Sequence, residues 1–276
     1  MASFLEETPE QGEFEGYIGM FDSGVGGLSV LKHARALLPA ENFLYFGDSA
    51  NTPYGSKSPD WIRARCHEIA GRMLDAGCKA LVIACNTATS AAADALRASF
   101  PDVPVVGIEP ALKPAVIENL GGRILVMATP VTVELEKFRK LYAEWAPRAT
   151  VHVVPCEGLA PRIERGDFDA PDMYDLLTGL IGDYAGRVDS VVLGCTHYPF
   201  VKRQIVRVLG ENVQVFDGGE GTARHLKRLL EAAGTLREAD AEAAGSEGAE
   251  GRLVIRSSID TPESMALYEW MLDQPM

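Results

Sequence analysis

Two segments of the chain share one pattern, a short apolar run that ends in a small residue and a cysteine. The first reads Ala-Leu-Val-Ile-Ala-Cys85-Asn-Thr-Ala-Thr, and the second reads Ser-Val-Val-Leu-Gly-Cys195-Thr-His-Tyr-Pro. An apolar run of this length, followed by small polar residues, is typical of a buried strand in a parallel sheet. Each thiol is therefore predicted at the carboxyl end of a strand, where open α/β sheets place their ligands.

Strand and helix patterns alternate along the chain, with short connections between them. Repeated β-α units predict parallel sheets and right-handed crossovers, and hence an α/β fold. The patterns form two sets of about 100 residues, a usual size for a domain, and the two cysteines lie 195 − 85 = 110 positions apart. We predict two similar α/β domains, each with a mostly parallel sheet flanked by helices, and an active site in the cleft between them.

The individual elements follow from the period of the apolar residues and from the turn residues between them. Strands are predicted over 17–23, 42–48, 80–85, 104–108, 123–129, 150–155, 190–195, 213–217 and 252–260. Helices are predicted over 26–38, 59–76, 87–100, 132–145, 159–165, 171–186, 221–233 and 262–272. An acidic leader over 1–16 and an Ala/Glu/Gly-rich segment over 235–251 are predicted to be flexible.

Charge and cysteine usage argue against several classes of protein. The chain carries 26 Lys and Arg against 39 Asp and Glu, and a net charge of −13 repels nucleic-acid phosphates. The five cysteines include no Cys-x-x-Cys pair, so neither a disulfide scaffold nor a structural zinc is predicted. The first residues lack the regions of a signal peptide, and no apolar run is long enough to span a membrane. We expect a cytoplasmic protein without a nucleic-acid or membrane partner.

The paired cysteines are predicted to act as an acid and a base. Packing is the alternative for either one alone, since Cys is among the most buried residue types. At a helix start the dipole and the free N–H groups favour the thiolate, whereas a second thiolate nearby is disfavoured by repulsion. One thiolate and one thiol would then supply one base and one acid. The remaining cysteines are predicted to be structural: Cys66, Cys78 and Cys156.

Polar residues follow other predicted strands as well. The glycines of Asp22-Ser23-Gly-Val-Gly-Gly would let backbone N–H groups approach an anion, with a plain tight turn as the alternative. Asp22 could orient or tune a thiol, or it could be a surface carboxylate. The turn-rich segment 47–55 is predicted to form a wall of the same cleft, unless it is only a loop. His197 could stabilise a Cys195 thiolate or act as an acid.

Taken together, these segments resemble the glutamate racemases, cofactor-independent amino-acid racemases of the aspartate/glutamate racemase superfamily. The matching pieces run through most of residues 17–233, and their combination is far more specific than any one of them. They are Phe-Asp22-Ser23-Gly-Val-Gly-Gly-Leu-Ser, Pro53-Tyr54-Gly55, Ala-Cys85-Asn86-Thr87-Ala, Gly-Ile-Glu109-Pro and Gly-Cys195-Thr196-His197-Tyr-Pro.

The resemblance implies that L- and D-glutamate are interconverted by two acid/base thiols, with Cys85 acting on D-glutamate and Cys195 on L-glutamate. Asp22 would assist at Cys85, and His197 would assist at Cys195. The residues that would hold the substrate are Asp22, Ser23, Tyr54, Gly55, Asn86, Thr87, Thr196 and His197. Secondary acidic helpers would be Asp48 and Glu164.

The resemblance also has implications beyond the site. It implies a first domain formed by 17–109 plus 218–276, and a second domain over 110–217. It implies that no cofactor and no metal is needed and that the chain is a homodimer. The product D-glutamate would feed peptidoglycan and cell-wall synthesis.

Three features depart from the family pattern. Leu135 and Phe138 stand where Ser and Tyr are usual, Gly218 stands where Ser is common, and the segment 235–251 is longer than expected. Three alternatives also stay open. They are a racemase or decarboxylase of the same superfamily with another substrate, an amino-acid-binding regulatory protein without turnover, and a redox switch in which Cys85 and Cys195 form a disulfide.

Overall fold

A computed structural model describes residues 12–238 and 250–276. Nine strands in this part of the chain form two fully parallel sheets, one of five strands and one of four. The strands are β1 Ile18–Asp22, β2 Phe43–Gly47, β3 Ala80–Ile83, β4 Val105–Gly107, β5 Arg123–Ala128, β6 Thr150–Pro155, β7 Ser190–Leu193, β8 Gln214–Asp217 and β9 Leu253–Ser257.

The strand orders are β4-β3-β1-β2-β9 in one sheet and β6-β5-β7-β8 in the other. The two cysteine-bearing strands, β3 and β7, are therefore interior strands of separate sheets. β9 pairs in parallel with β2, with Leu253 opposite Phe43, so the last part of the chain returns to the first sheet. This architecture confirms the predicted fold class. The domain boundaries taken from the sequence stay a prediction.

Eleven α-helices of the described residues flank the sheets, and short 3-10 turns connect some of them. The α-helices are α1 Leu28–Leu37, α2 Pro59–Asp75, α3 Asn86–Ser99, α4 Leu112–Glu118, α5 Pro130–Glu134, α6 Glu136–Trp145, α7 Leu159–Glu164, α8 Pro171–Ile181, α9 Lys202–Leu209, α10 Gly219–Ala233 and α11 Pro262–Asp273.

Helix prediction was wrong at several places. The single helix predicted over 132–145 is two helices, because Leu135 has an extended backbone (φ −74°, ψ 142°) that ends α5 and begins α6. The helix predicted over 171–186 ends at Ile181 and continues only as a 3-10 turn. Helices α4 and α9 were missed, since each is only two turns long. Elsewhere the helix bounds differ by at most two residues, the usual uncertainty of helix ends.

Side chains along the central strands of the first sheet alternate between its two faces, and each face is covered by a layer of helices. Met20 and Tyr45 pack with α1 and α10 on one face, while Phe21 and Phe46 pack with α2 and α3 on the other. Both faces of β1, β2 and β3 are buried, which explains their continuous apolar runs. The first of these clusters continues into the second sheet through Met127 and its neighbours, so apolar packing joins the two sheets.

The two segments that were predicted to be flexible lie partly outside the described residues, which omit 1–11 and 239–249. Within the leader, Phe14 is buried, packs against the Tyr17 ring at 5.4 Å, and donates its N–H to the carbonyl of Ala76. The described start of the second segment is hydrogen-bonded to a residue next to β3, since Lys79 Nζ donates to the carbonyl of Thr235 at 2.7 Å. In the part of the chain that the structure describes, no helix is both long and apolar enough to cross a membrane.

Candidate active site

The carboxyl ends of the two sheets face each other across one small cavity, and both predicted catalytic cysteines line it. The cavity has a volume of about 20 Å³, room for about one water molecule. Its walls come from both halves of the chain and consist of Ser23, Thr52, Pro53, Tyr54, Gly55, Cys85, Asn86, Thr87, Thr129, Ala160, Cys195, Thr196 and His197. Nine of the predicted site residues are in this set.

Cys85 lies at the N-cap of α3, directly after β3. Its sulfur accepts the Ala88 N–H at 3.5 Å, and its thiol lies 3.8 Å from Ser23 Oγ. Burial raises the pKa of this thiol well above its ordinary value, and the carboxylate of Asp22 raises it further. The sequence-based expectation that a helix start would lower this pKa is therefore wrong, because one backbone N–H does not offset desolvation and a neighbouring carboxylate. Cys85 is a thiol at neutral pH.

Cys195 occupies the matching place after β7, but its surroundings are different. The Cys195 sulfur lies 3.6 Å from His197 Nδ1, and His197 Nε2 lies 2.8 Å from Glu164 Oε1. Burial lowers the pKa of His197, but its hydrogen bonds to Cys195 and Glu164 outweigh burial and hold that pKa well above the ordinary value. The imidazolium is thus the stable form of His197, and it places a positive charge beside Cys195.

Asp22 ends β1 behind the cavity wall. Its carboxylate accepts the Gly27 N–H at 2.8 Å and lies 3.4 Å from Ser23 Oγ. Full burial raises the pKa of Asp22, and the charge of His197 opposes that rise. The side chain is placed to influence Cys85 through its charge, and it does not itself line the cavity.

The glycine-rich loop after β1 serves close packing of side chains. A Cβ on Gly24 would collide with the Glu164 carboxylate, one on Gly26 would collide with the His197 ring, and one on Gly27 would come within 2.7 Å of Asp22 Cβ. The N–H of Gly27 is used by Asp22 of the same chain. The sequence suggested an anion-binding loop. In the structure, the loop instead packs closely against Asp22, Glu164 and His197, the residues that surround the cysteines.

Asp48 also lies behind the cavity wall. Its two oxygens accept hydrogen bonds from Arg65 at 2.7 and 2.8 Å, from Tyr54 at 2.7 Å, and from Asn51 at 3.0 and 3.1 Å. Burial raises the pKa of Asp48, but these donors outweigh it and hold that pKa below the ordinary value. The carboxylate orients Tyr54, which lines the cavity, and has no free lone pair with which to take up a proton at neutral pH.

Polar groups from the two halves of the chain lie close together at the cavity wall. Asn86 is buried, and neither its amide oxygen nor its amide nitrogen has a hydrogen-bond partner among the described residues. The Thr87 hydroxyl lies 3.2 Å from that of Thr129 and 3.1 Å from that of Thr132, which belong to the other half of the chain. An unpartnered buried amide next to a group of hydroxyls is suited to bind a carboxylate or an ammonium group.

Two residues of the cavity wall were missed in the sequence, namely Thr129 and Ala160. Thr52 and Pro53 also line the cavity and lie in the segment 47–55, which was predicted to form a wall of the cleft. Thr129 follows the strand β5, in the same relation as Cys195 to β7, and this position was a usable signal. Ala160 lies in α7 and carries no chemical signature, so only the tertiary structure shows it.

The departures from the family pattern have separate explanations. Leu135 is half-buried at the break between α5 and α6, and Phe138 is buried in the core of the second sheet. Neither lines the cavity. A Cβ on Gly218 would collide with the carbonyl oxygen of Glu109, so this backbone has no room for the serine that is common there.

The remaining cysteines are buried and free, as are all five in the chain. Cys66 and Cys78 pack beneath the first sheet, and burial raises the pKa of both thiols, to about 12 for Cys78. Cys156 follows β6 and also has its pKa raised to about 12 by burial. Within residues 12–238 and 250–276, no group of three or more His, Cys, Asp or Glu side chains is arranged to hold a metal ion.

Comparison with known proteins places this geometry in a family. Residues 28–226 match the Asp/Glu/hydantoin racemase family. The chain is 48% identical over 215 residues to a glutamate racemase of Clostridium perfringens, covering 78% of this chain and 83% of the relative. It is 43% identical over 257 residues to a glutamate racemase of Clostridium acetobutylicum, covering 93% and 97%. The crystal structure of a Francisella tularensis glutamate racemase in complex with D-glutamate is similar in fold, with a TM-score of 0.79, 27% identity and coverage of 94% of both chains.

Proposed function

The chain belongs to the Asp/Glu/hydantoin racemase family and is an isomerase, and from that premise we propose that it interconverts L- and D-glutamate. The proposed chemistry is proton transfer at the α-carbon between two cysteines, without a cofactor or a metal. Relatives at 43–48% identity carry the name glutamate racemase, and the Francisella structure holds D-glutamate.

The observation that supports the two-cysteine chemistry most directly is the placement of Cys85 and Cys195 on one cavity, each from a different sheet. Thiols that come from two sides can reach the two faces of one carbon. The two thiols disfavour each other's ionisation, since a charge on Cys195 raises the pKa of Cys85. We therefore assign the acid to Cys85, and the base to Cys195, whose sulfur lies 3.6 Å from the imidazolium of His197.

With L-glutamate bound, the Cys195 thiolate removes the α-proton and the Cys85 thiol delivers its proton to the opposite face. The S–H bond formed at Cys195 and the S–H bond broken at Cys85 balance, and the next D-glutamate is converted by the reverse sequence. The imidazolium of His197 and the unpartnered amide of Asn86 are placed to stabilise the charge that develops on the substrate.

The substrate would be held by groups from both halves of the chain. Asn86 and the hydroxyls of Ser23, Thr87 and Thr129 are donors for carboxylate oxygens. The cavity of about 20 Å³ is too small for an amino acid, so the two halves must separate to admit glutamate and then close on it. Closure excludes water from the carbanion-like transition state.

The test is a proton NMR time course of L-glutamate in D2O with the purified chain, a chelator, and no added cofactor. Loss of the α-proton signal together with formation of D-glutamate supports the proposal. L-aspartate in a parallel sample tests the alternative substrate, and faster exchange of aspartate than of glutamate would refute the substrate assignment. Thiol counting with and without reductant tests the redox-switch alternative, for which a disulfide between Cys85 and Cys195 is the required result.

The wider role is proposed on the resemblance alone. D-glutamate is a building block for peptidoglycan, so the enzyme would serve cell-wall synthesis in the cytoplasm, as a homodimer with no nucleic-acid partner. Light scattering of the full chain, with and without glutamate, measures the oligomeric state; a monomer under both conditions contradicts the homodimer without touching the racemisation.

A further inference from the structure

The first turn of α1 packs on the turn that follows Cys195, and this contact joins the two halves of the chain. The Ser29 hydroxyl, from the first half, donates to the carbonyl oxygen of Thr196, from the second half, at 2.8 Å. Both residues are buried. Ser29 does not line the cavity, and the proposed chemistry does not use it. Its side chain nevertheless holds the backbone directly after one of the two cysteines.

The Thr196 carbonyl depends on this donor because of the sequence around it. In the 3-10 turn after the cysteine, the carbonyls before and after it each accept the N–H three residues further on, from Tyr198 at 3.1 Å and from Phe200 at 3.2 Å. The same pattern would give the Thr196 carbonyl the N–H of residue 199, but Pro199 has none. The Ser29 hydroxyl supplies the missing donor from the other half of the chain.

The same hydroxyl has a second acceptor within its own half. Ser29 Oγ lies 2.9 Å from the carbonyl oxygen of Gly26, three residues earlier in the chain. A hydroxyl has one proton, so it can donate fully to only one of the two carbonyls at a time. The Gly26 carbonyl also accepts the Ser29 N–H at 3.0 Å, and it keeps that partner when the hydroxyl bonds to Thr196. If the halves separate, the hydroxyl can return to Gly26 while water reaches the Thr196 carbonyl.

We propose that Ser29 is a positioning residue for the turn after Cys195, with a hydroxyl that donates to Thr196 when the halves are closed and to Gly26 when they are apart. Thr196 lies between Cys195 and His197, so the bond fixes the backbone of this turn against the first half. The closed state gains a donor for a buried carbonyl, and the open state leaves no donor unpaired. This inference rests on the proposed function, in which the halves separate to admit glutamate.

The experiment measures the rate at which iodoacetamide alkylates each cysteine of the full chain at one pH without substrate, read from the modified peptides by mass spectrometry. The cavity of about 20 Å³ has no room for this reagent, so alkylation of Cys85 and Cys195 requires the halves to separate. Ser29→Ala leaves the Thr196 carbonyl without its donor in the closed state only. Both rates should therefore rise by the same factor, about 5- to 10-fold. Cys78, packed beneath the first sheet, reports a general loss of stability and should keep its rate.

Ser190→Ala is the matched control. It removes another buried serine hydroxyl, in the strand that leads to Cys195, which has no hydrogen-bond partner among the described residues. Both cavity rates should stay within about twofold of wild type. Ser29→Thr keeps a hydroxyl that can bond the carbonyl three residues back in a helix, and it should also stay within about twofold. A rise in either variant as large as that in Ser29→Ala overturns the inference, because the effect would then not come from this hydrogen bond.

Three results in Ser29→Ala itself would also overturn the inference. They are unchanged rates at Cys85 and Cys195, a rise at only one of these two, and an equal rise at Cys78. If Ser29→Ala does not fold, Ser29→Cys decides by the same rates, since a thiol has nearly the same shape and is only a weak donor. The proposed function is tested separately by turnover of glutamate by the wild-type chain, and alkylation gives its result whether or not that turnover is seen.

Discussion

The two cysteine turns have the same position in their sheets but opposite electrostatic surroundings. Cys85 begins a regular helix, accepts one backbone N–H, and has the buried carboxylate of Asp22 nearby. Cys195 leads into a 3-10 turn and lies next to His197, which Glu164 holds in its charged form. A repeated strand-to-cysteine pattern therefore places the two sulfurs on one cavity, while the residues around them give each sulfur a different electrostatic environment.

This asymmetry has a thermodynamic limit. L- and D-glutamate have equal free energies in water, so kcat/KM must be the same in both directions for any racemase. Differences between the two turns must therefore be sought in the ionisation of each thiol, in kcat, and in stability.

Replacing either cavity cysteine should cause the largest loss of racemisation. Cys85→Ala and Cys195→Ala each remove one of the two proton carriers, so racemisation should fall by about 10²- to 10⁴-fold. Formation of D-glutamate from L-glutamate, followed by chiral chromatography, measures the loss. Cys78→Ala is the control, because it removes a buried thiol of the first core and should keep racemisation within about twofold. Full activity in either cavity variant refutes the two-cysteine chemistry.

Substitution of Gly26 should disturb the Cys195 side from across the cavity. In Gly26→Ala the new methyl group meets the His197 ring and must displace it. A displacement of this kind is expected to lower kcat by up to about 10²-fold and to destabilise the fold by about 1–3 kcal/mol. Thermal unfolding and the chiral assay measure the two effects.

Gly71→Ala is the matched control for that variant. Gly71 lies in the middle of α2, and a Cβ there meets nothing within 4 Å. It should stabilise the protein by about 0.5–1 kcal/mol and leave kcat unchanged. Equal behaviour of the two variants would show that the contact between Gly26 and His197 does not matter for activity.

Removing the carboxylate of Glu164 should narrow the pH range over which His197 beside Cys195 stays charged. The pKa of His197 is raised above 6.5, so its imidazolium is fully present below that pH and is lost as the pH rises through the raised value. Glu164→Gln removes one of the groups that raise this pKa, and the alkaline fall of kcat should move down by about 1 pH unit, a tenfold loss above the new midpoint. Glu157→Gln, at an exposed position before α7, should not move it. If the fall of kcat at alkaline pH does not move in Glu164→Gln, Glu164 does not keep His197 charged during turnover.

Neutralising Asp22 should affect the Cys85 side by a smaller amount. A carboxylate raises the pKa of a neighbouring thiol, so Asp22→Asn should lower the alkylation midpoint of Cys85 by about 0.5 pH unit, or about threefold more thiolate below it. Asn keeps an acceptor for the Gly27 N–H, which limits structural change. Cys195 in the same sample is the internal control and should shift less. A raised Cys85 midpoint would show that Asp22 does not oppose ionisation of this thiol.

Most of the fold could be predicted because its strands are buried on both faces. β1, β3 and β7 are continuous apolar runs, and their burial is independent of which neighbours cover them. Short helices such as α4 and α9 could not be predicted, since two turns give too few periods of an apolar pattern. The break at Leu135 also escaped prediction, because neither proline nor glycine marks it.

The cavity residues divide in the same way. Cys85 ends a predicted strand, Asn86 and Thr196 directly follow predicted strands, and a strand end in a parallel sheet fixes the position of the next few residues. The sequence placed Asp48 among the secondary helpers, but its hydrogen bonding with three partners, Arg65, Tyr54 and Asn51, depends on contacts across the loop. The glycine loop shows the reverse case, because what its glycines accommodate is two side chains from the other half of the chain.

By itself, the sequence determined that two strands of parallel sheets would each carry a thiol at the carboxyl end. That information is local, since it depends only on an apolar run and the residues that follow it. The tertiary structure alone decided which charges lie near each thiol, because Asp22, Glu164 and His197 reach the cavity region only through the fold. These charges are brought together from distant parts of the chain, and electrostatic interaction follows distance in space rather than separation in sequence.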